Sequence, residues 1–382
     1  MWVLHNGTRD QQEALIATPL HALSELGQSV WIDYLSRPFV RDGELAELIE
    51  AGVVGVTSNP TIFQGAIADG HAYDDQLREV LREQNDPKEV FLELAREDIR
   101  GACDLLREVF ERGDATRDGW VSLEVDPQLA SDAQGTFEEA KRIHRMIERE
   151  NLFVKIPGTE PGLQAIEDTI ASGIPVNVTL LFSLERHRAA AQAYLQGLRR
   201  LRDDGGDLHT VASVASFFVS RVDTEADRRL DQVGGHDDLK GKLAIANAKL
   251  AYQSYKEIFS GSEWEELERL GASPQRCLWA STSTKNPAYR DVVYVEELIG
   301  PNTVNTMPRE TVAAVIDHGR AAPTLERDVD GARRILERFA EAGIDYDDVV
   351  ETLEREGVEK FANSMKQLLE GVADKRNELV AA

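Results

Sequence analysis

Short apolar runs alternate along the chain with long amphipathic stretches. The runs are Ser29–Asp33, Val53–Thr57, Trp120–Val125, Leu152–Ile156, Pro175–Leu180, Thr210–Val214, Arg276–Ser281 and Asn302–Thr306. Each has the length of a strand and falls short of a typical helix. Their nearly continuous apolar character suits strands covered on both faces, as in a parallel sheet. The intervening stretches carry helix starts: Asp86-Pro87 opens a run to about Arg112, and Ser183 precedes Leu184–Arg199 with Glu185 and Arg186 in its first turn. Eight strands separated by helices predict an α/β fold, a (β/α)8 TIM barrel with additional helices.

Several regions exceed a minimal barrel. Residues 1–28 read as an N-terminal extension, Tyr73–Arg112 as an inserted helical pair, and Leu239–Ser260 as a further helix; the latter two are candidates to cover the barrel mouth. Residues 327–377 read as helices packed across the barrel. No repeat, linker or shift in composition divides residues 1–382, so a single barrel domain is expected.

Composition narrows the function classes. Of 382 residues, 42% are hydrophobic and 29% charged, which is ordinary for a globular protein with a large core. No apolar run approaches the roughly 20 residues that cross a bilayer, and Met1–Asp10 lacks a basic segment followed by an apolar one, so a cytoplasmic location is expected. Cys103 and Cys277 are far apart and show no metal spacing, which predicts packing roles for both. The formal charge of −25 disfavours nucleic acid and anionic membranes as partners. That field also repels phosphorylated molecules at long range, so an anion site here requires a local cluster of basic residues and backbone donors.

In a barrel of this class the chemistry stands at the C-terminal strand ends. Those positions hold Asp33, then Thr57-Ser58-Asn59, then Ser122 and Glu124, then Lys155, then Asn177 and Thr179, each interrupting an apolar run. Ser216 and Arg221 follow the sixth run, Ser281 to Lys285 the seventh, and Asn305-Thr306 the eighth. Lys155 lies between Leu152-Phe153-Val154 and Ile156-Pro157-Gly158. Burial there favours the neutral amine, the form that attacks a carbonyl. The same position equally suits a buried ion pair with Glu124 that serves stability alone. One amine and two carboxylates among uncharged hydrogen-bonding groups suit a polyhydroxylated carbonyl substrate.

Ser216-Phe217-Phe218-Val219-Ser220-Arg221 is expected to open a helix after the sixth strand. Its backbone donors, with a hydroxyl and the Arg221 guanidinium, form an anion site, and Lys285 supplies a second cation. Capping alone also explains a Ser/Arg pair at a helix start. No histidine occupies a strand end, no cluster has metal-ligand spacing, and no Walker loop, dinucleotide glycine fingerprint or nucleophile elbow occurs.

Five motifs in order carry a family resemblance: Trp31-Ile32-Asp33-Tyr34; Gly55 to Phe63 with Thr57-Ser58-Asn59-Pro60; Val121-Ser122-Leu123-Glu124-Val125-Asp126-Pro127; Val154-Lys155-Ile156-Pro157; and Val176-Asn177-Val178-Thr179 to Ser183. Together they resemble transaldolase, over about Ser29 to Pro308, with Ala280–Asn286 and Val304–Pro308 similar to the longer bacterial branch. The resemblance implies cofactor-independent, metal-free transfer of a dihydroxyacetone unit. The donor would be sedoheptulose 7-phosphate or fructose 6-phosphate, and the acceptor glyceraldehyde 3-phosphate or erythrose 4-phosphate.

Carried over by motif, Lys155 is the Schiff-base nucleophile and Asp33 the base for the C4 hydroxyl. Glu124 and Thr179 shuttle protons through a held water, and Asn59 and Asn177 hold dihydroxyacetone hydroxyls. Ser216 and Arg221 take the phosphate, with Phe218, Ser281 and Lys285 as further substrate contacts. Lys285 stands where shorter forms usually place an arginine, and Phe217 where they have proline. Two alternatives remain: an aldolase of the same family that releases dihydroxyacetone, and a barrel that binds sugar phosphates without catalysis. A monomer or a homodimer is expected.

Overall fold

The computed structural model describes residues 18–68, 71–112 and 118–381, so most of the expected N-terminal extension lies outside the described residues. Eight parallel strands close into a barrel in sequence order: β1 (Gln28–Asp33), β2 (Val53–Thr57), β3 (Trp120–Glu124), β4 (Leu152–Pro157), β5 (Val176–Leu181), β6 (Ser213–Phe218), β7 (Arg276–Ala280) and β8 (Thr303–Met307). Every strand is almost wholly buried, which explains why the apolar runs are continuous rather than alternating.

Alternation reappears when the interior of the barrel is followed upward. Arg276 lies at the bottom, donating to Ser29 Oγ at 2.9 Å and pairing with Asp118 at 3.1 Å. Above it Trp31, Phe153 and Trp120 fill the bore, with the Trp120 and Phe153 rings stacked at 4.1 Å. Gly55 makes room for Trp31, because a Cβ there would come within 2.6 Å of the indole. Two residues further along the same strands stand Asp33, Lys155 and Ser122, and Glu124 follows at the end of β3. Thus aromatic residues floor the site and polar residues line its mouth.

The sixth strand differs from expectation. It begins at Ser213 and runs to Phe218, because Leu208–Thr210 forms a 3-10 turn whose start Asp207 caps. Ser216 and Phe218 are therefore strand residues, and the following helix spans Ser220–Val233. The seventh strand stops at Ala280 because Ser281 is left-handed (φ 57°), and the eighth starts after left-handed Asn302 (φ 55°).

The roof of the barrel comes from the C-terminal helices expected to pack across it, and not from the two insertions. Tyr73–Arg112 folds as helices Asp74–Val80, Pro87–Leu105 and Arg107–Arg112, and the long one packs beside β3. Leu243–Ile258 joins the outer ring against Leu184–Asp203 and β7. Neither lines the mouth; the C-terminal helix Tyr346–Ala381 does. It packs on Pro60–Ala68, on Ser220–Val233 and on β5, with Thr61 Oγ1 donating to Ser364 Oγ at 2.9 Å and Lys375 paired to Asp74 at 3.0 Å. Gly357 permits its close approach, since a Cβ there would come 3.1 Å from Leu180 Cδ2.

Candidate active site

Strand register brings the polar ends together. Asp33 pairs with Thr57, Glu124 with Lys155, Lys155 with Asn177, and Pro157 with Thr179. β5 breaks register after Val178, and Leu180 takes a left-handed φ of 61°, a bulge immediately beside Thr179. Such conformations in non-glycine residues concentrate at functional sites, and Ser281 supplies a second at this mouth.

Lys155 is 5% exposed and borders a cavity of about 260 Å³. Its Nζ lies 3.2 Å from Glu124 Oε2 and donates to the Ser58 carbonyl at 3.2 Å. The expected ion pair with Glu124 is therefore formed, and at the same time the amine borders the cavity. Glu124 stands behind the amine, and neither of its oxygens, nor the Thr179 hydroxyl, has a well-directed hydrogen-bond partner among the described residues. Burial pushes the Glu124 carboxyl above its ordinary value, with the positive charge of Lys155 opposing that rise.

Asp33 faces the same cavity. Its Oδ1 accepts from Thr57 Oγ1 at 2.8 Å, and that hydroxyl also meets Thr306 Oγ1 at 2.6 Å. Although part of the carboxylate surface opens to the cavity, the surrounding protein raises its proton affinity by desolvation; Lys155, Thr57 and Arg221 pull in the opposite direction.

The remaining expected residues divide. Asn59, Thr179, Ser216, Phe218, Arg221, Ser281 and Lys285 line the cavity. The Asn59 Oδ1 is engaged in accepting from Ile62 N at 3.1 Å, at the start of the helix that carries Thr61 and Ile62. Asn177 lies beneath the cavity wall, fully buried, with Nδ2 donating to Ser122 Oγ at 3.0 Å and Oδ1 accepting from Ser216 Oγ at 2.7 Å. It holds Ser216 rather than facing the open space.

Arg221 enters from the second residue of its helix, with its guanidinium 5.1 Å from the Phe218 ring centroid and 6.0 Å from that of Phe361. Burial lowers its proton affinity, and the carboxylates of Asp33 and Glu356 partly restore it. Lys285 donates to Ser283 Oγ at 2.8 Å. Sequence reasoning missed Lys360, Phe361 and Glu310, all of which line the cavity. The Lys155 Nζ lies 5.5 Å from the Phe361 ring, so that phenyl group spans the space between the amine and Arg221. Nothing local in the C-terminal sequence marks Lys360 and Phe361; only the course of the helix across the mouth does, whereas Glu310 follows directly on the end of the eighth strand.

A buried amine backed by a carboxylate, a second carboxylate on the cavity wall and a guanidinium without an ion pair among the described residues can form and cleave an imine of a phosphorylated sugar. A model of the transaldolase/fructose-6-phosphate aldolase family matches residues 30–372. The chain belongs to that family. Among curated relatives, the transaldolase of Thermobifida fusca is 50% identical over 94% of this chain and 98% of the relative. The transaldolase of Mycolicibacterium paratuberculosis is 49% identical over 92% and 95%, and that of Frankia alni 48% over 94% and 97%. Family membership accords with the barrel and with the order of the five motifs. Among the described residues no group of three or more His, Cys, Asp or Glu is placed to hold a metal ion, and no helix is long and apolar enough to cross a membrane. Cys103 and Cys277 are free and buried.

Proposed function

We propose that this chain is a transaldolase of the non-oxidative pentose phosphate pathway, acting in the cytoplasm on sugar phosphates. The observation that carries the reading is Lys155, a buried amine 3.2 Å from Glu124 in the wall of the cavity that Asp33 also lines. The Lys155 amine adds to the C2 carbonyl of sedoheptulose 7-phosphate or fructose 6-phosphate, and the carbinolamine loses water to give an iminium. Glu124, ion-paired with Lys155 but without a well-directed hydrogen bond among the described residues, and the Thr179 hydroxyl, which lacks one as well, carry the protons of that step through a water.

Asp33 then takes the proton of the C4 hydroxyl. The C3–C4 electron pair moves into the iminium, leaving an enamine on Lys155 and releasing the aldose phosphate. Glyceraldehyde 3-phosphate or erythrose 4-phosphate follows, its aldehyde carbon is attacked by C3 of the enamine, and Asp33 returns the proton to the new hydroxyl. Addition of water to the iminium frees the product. The raised proton affinity of Asp33 favours this exchange, because an acid–base group works best when its pKa approaches the working pH. Phe218 and Phe361 shield the enamine from water, which favours transfer over release. Asn59 and Ser216 hold the dihydroxyacetone hydroxyls, Asn177 positions Ser216, and Arg221, Lys285 and Ser281 receive the phosphate end. Every residue in this scheme comes from one chain, so either a monomer or a homodimer can act.

Borohydride reduction in the presence of fructose 6-phosphate tests the reading: the peptide containing Lys155 gains the mass of a reduced dihydroxyacetone unit. An unmodified Lys155 would leave only a sugar-phosphate-binding barrel. Cleavage of fructose 6-phosphate without any aldose acceptor would instead favour the aldolase reading.

A further inference from the structure

We propose that Lys360, on the helix laid across the barrel mouth, is a phosphate-binding residue that completes a three-cation neck with Arg221 and Lys285. The inference rests on the reading of the cavity as a sugar-phosphate site.

Arg221, Lys285 and Lys360 line both the inner cavity and an outer groove of about 930 Å³, so they stand where the two meet. None of the three forms an ion pair within 4.0 Å among the described residues, although the chain carries 68 acidic residues and most of its other arginines are paired. Lys360 is the most informative of them. Glu356 precedes it by one helical turn, the spacing at which Glu and Lys commonly pair, yet no such pair forms. The charge of Arg221, burial and the charge of Lys285 together press its proton affinity below the ordinary lysine value. A cation kept beside two other cations, with no ion pair of its own among the described residues, is an arrangement that an anion would stabilise.

Its position also limits the anion's identity. In the outer groove Arg228 is engaged by Glu225, and Glu356 and Glu359 repel an anion beyond the neck, while the inner cavity leads to Lys155. An anionic terminus tethered to a group at Lys155 is therefore held at the neck, and a sugar phosphate has that form. Lys285 binds as a point charge without the fork of an arginine, so a second lysine from the roof offsets the missing geometry. The roof helix thereby ties substrate recognition to closure: Phe361 covers Lys155 and its neighbour Lys360 holds the far end.

The test compares Lys360→Met, Lys360→Arg and Arg221→Met in the full-length enzyme. Lys360→Met is expected to raise KM for fructose 6-phosphate about tenfold, equivalent to ~1.4 kcal/mol, and to weaken competitive inhibition by inorganic phosphate by a similar factor. The change in kcat should be much smaller, and Lys360→Arg should restore most of the loss. Dihydroxyacetone, which has no phosphate, separates charge loss from a distorted helix: its half-maximal concentration for borohydride trapping at Lys155 should not follow the phosphate effect. Unchanged KM and phosphate inhibition in Lys360→Met, with both impaired in Arg221→Met, would overturn the role of Lys360 and leave the phosphate site standing. Unchanged phosphate inhibition in both variants would remove the phosphate site itself, and the inference with it. Equal losses with dihydroxyacetone and fructose 6-phosphate would make Lys360 a structural residue only.

Discussion

Replacing Lys155 by Met removes the proposed nucleophile and also strips Glu124 of its counter-charge. The two groups lie 3.2 Å apart with 5% and 4% exposure. At an effective dielectric constant of ~20 their attraction is about 5 kcal/mol. Breaking such a buried pair by removing one partner typically costs about 3–5 kcal/mol. Protonation of Glu124 limits the cost. Burial already raises its folded-state pKa and Lys155 opposes that rise, so in the variant the folded value climbs further above that of the unfolded chain.

The folded variant then keeps a proton that the unfolded chain has released. Its stability is highest below the ordinary carboxylate value and falls as pH rises towards the raised folded value, by at most ~1.4 kcal/mol per pH unit. Urea unfolding between about pH 5 and 8 measures this directly. Lys155→Met should be about 3 kcal/mol less stable than the parent near pH 8 and should recover as pH falls. Lys155→Met/Glu124→Gln should be less pH-dependent and more stable than the single variant at high pH. Parallel pH profiles for the single and double variants would refute this account of the pair.

Other consequences follow from the same geometry. Asp33→Asn should lower kcat by about 10²- to 10⁴-fold while borohydride still traps donor on Lys155, since the carboxylate acts after the imine forms; loss of trapping would contradict that order. Phe361→Ala should cost about 3 kcal/mol in unfolding experiments and raise acceptor-independent release of dihydroxyacetone relative to transfer, measured in one coupled assay. Asp223, buried beside Asp227 in the helix that carries Arg221, accepts from Ala244 N at 2.7 Å and from Tyr294 Oη at 2.8 Å, and burial raises its pKa to about 7. Its ionisation therefore subtracts stability as pH rises from the ordinary carboxylate value towards about 7, and Asp223→Asn should flatten that part of the urea-derived profile.

The parts of the fold that could be read from the sequence were those that depend on local burial. Val53–Thr57 and Leu152–Pro157 read as strands because a strand covered on both faces must be apolar along its length, and any polar residue in it stands out. Lys155, Asp33 and Glu124 were conspicuous for that reason. The sixth strand was misplaced by three residues at its start because Thr210-Val211-Ala212 reads as the apolar start of a strand; the Asp207 cap that closes Leu208–Thr210 into a turn acts through backbone geometry.

Tertiary structure alone decided which of those residues meet. Register set Glu124 against Lys155, and packing put Asn177 beneath the wall with its amide already engaged. It also brought Lys360 and Phe361 to a site whose Asp33 and Lys155 stand on strands far earlier in the chain. On an amphipathic helix a lysine next to a phenylalanine is unremarkable. Their charge and ring gain a role only when closure of the barrel and the path of the last helix place them above Lys155, because electrostatic fields and water exclusion act through space and not along the chain.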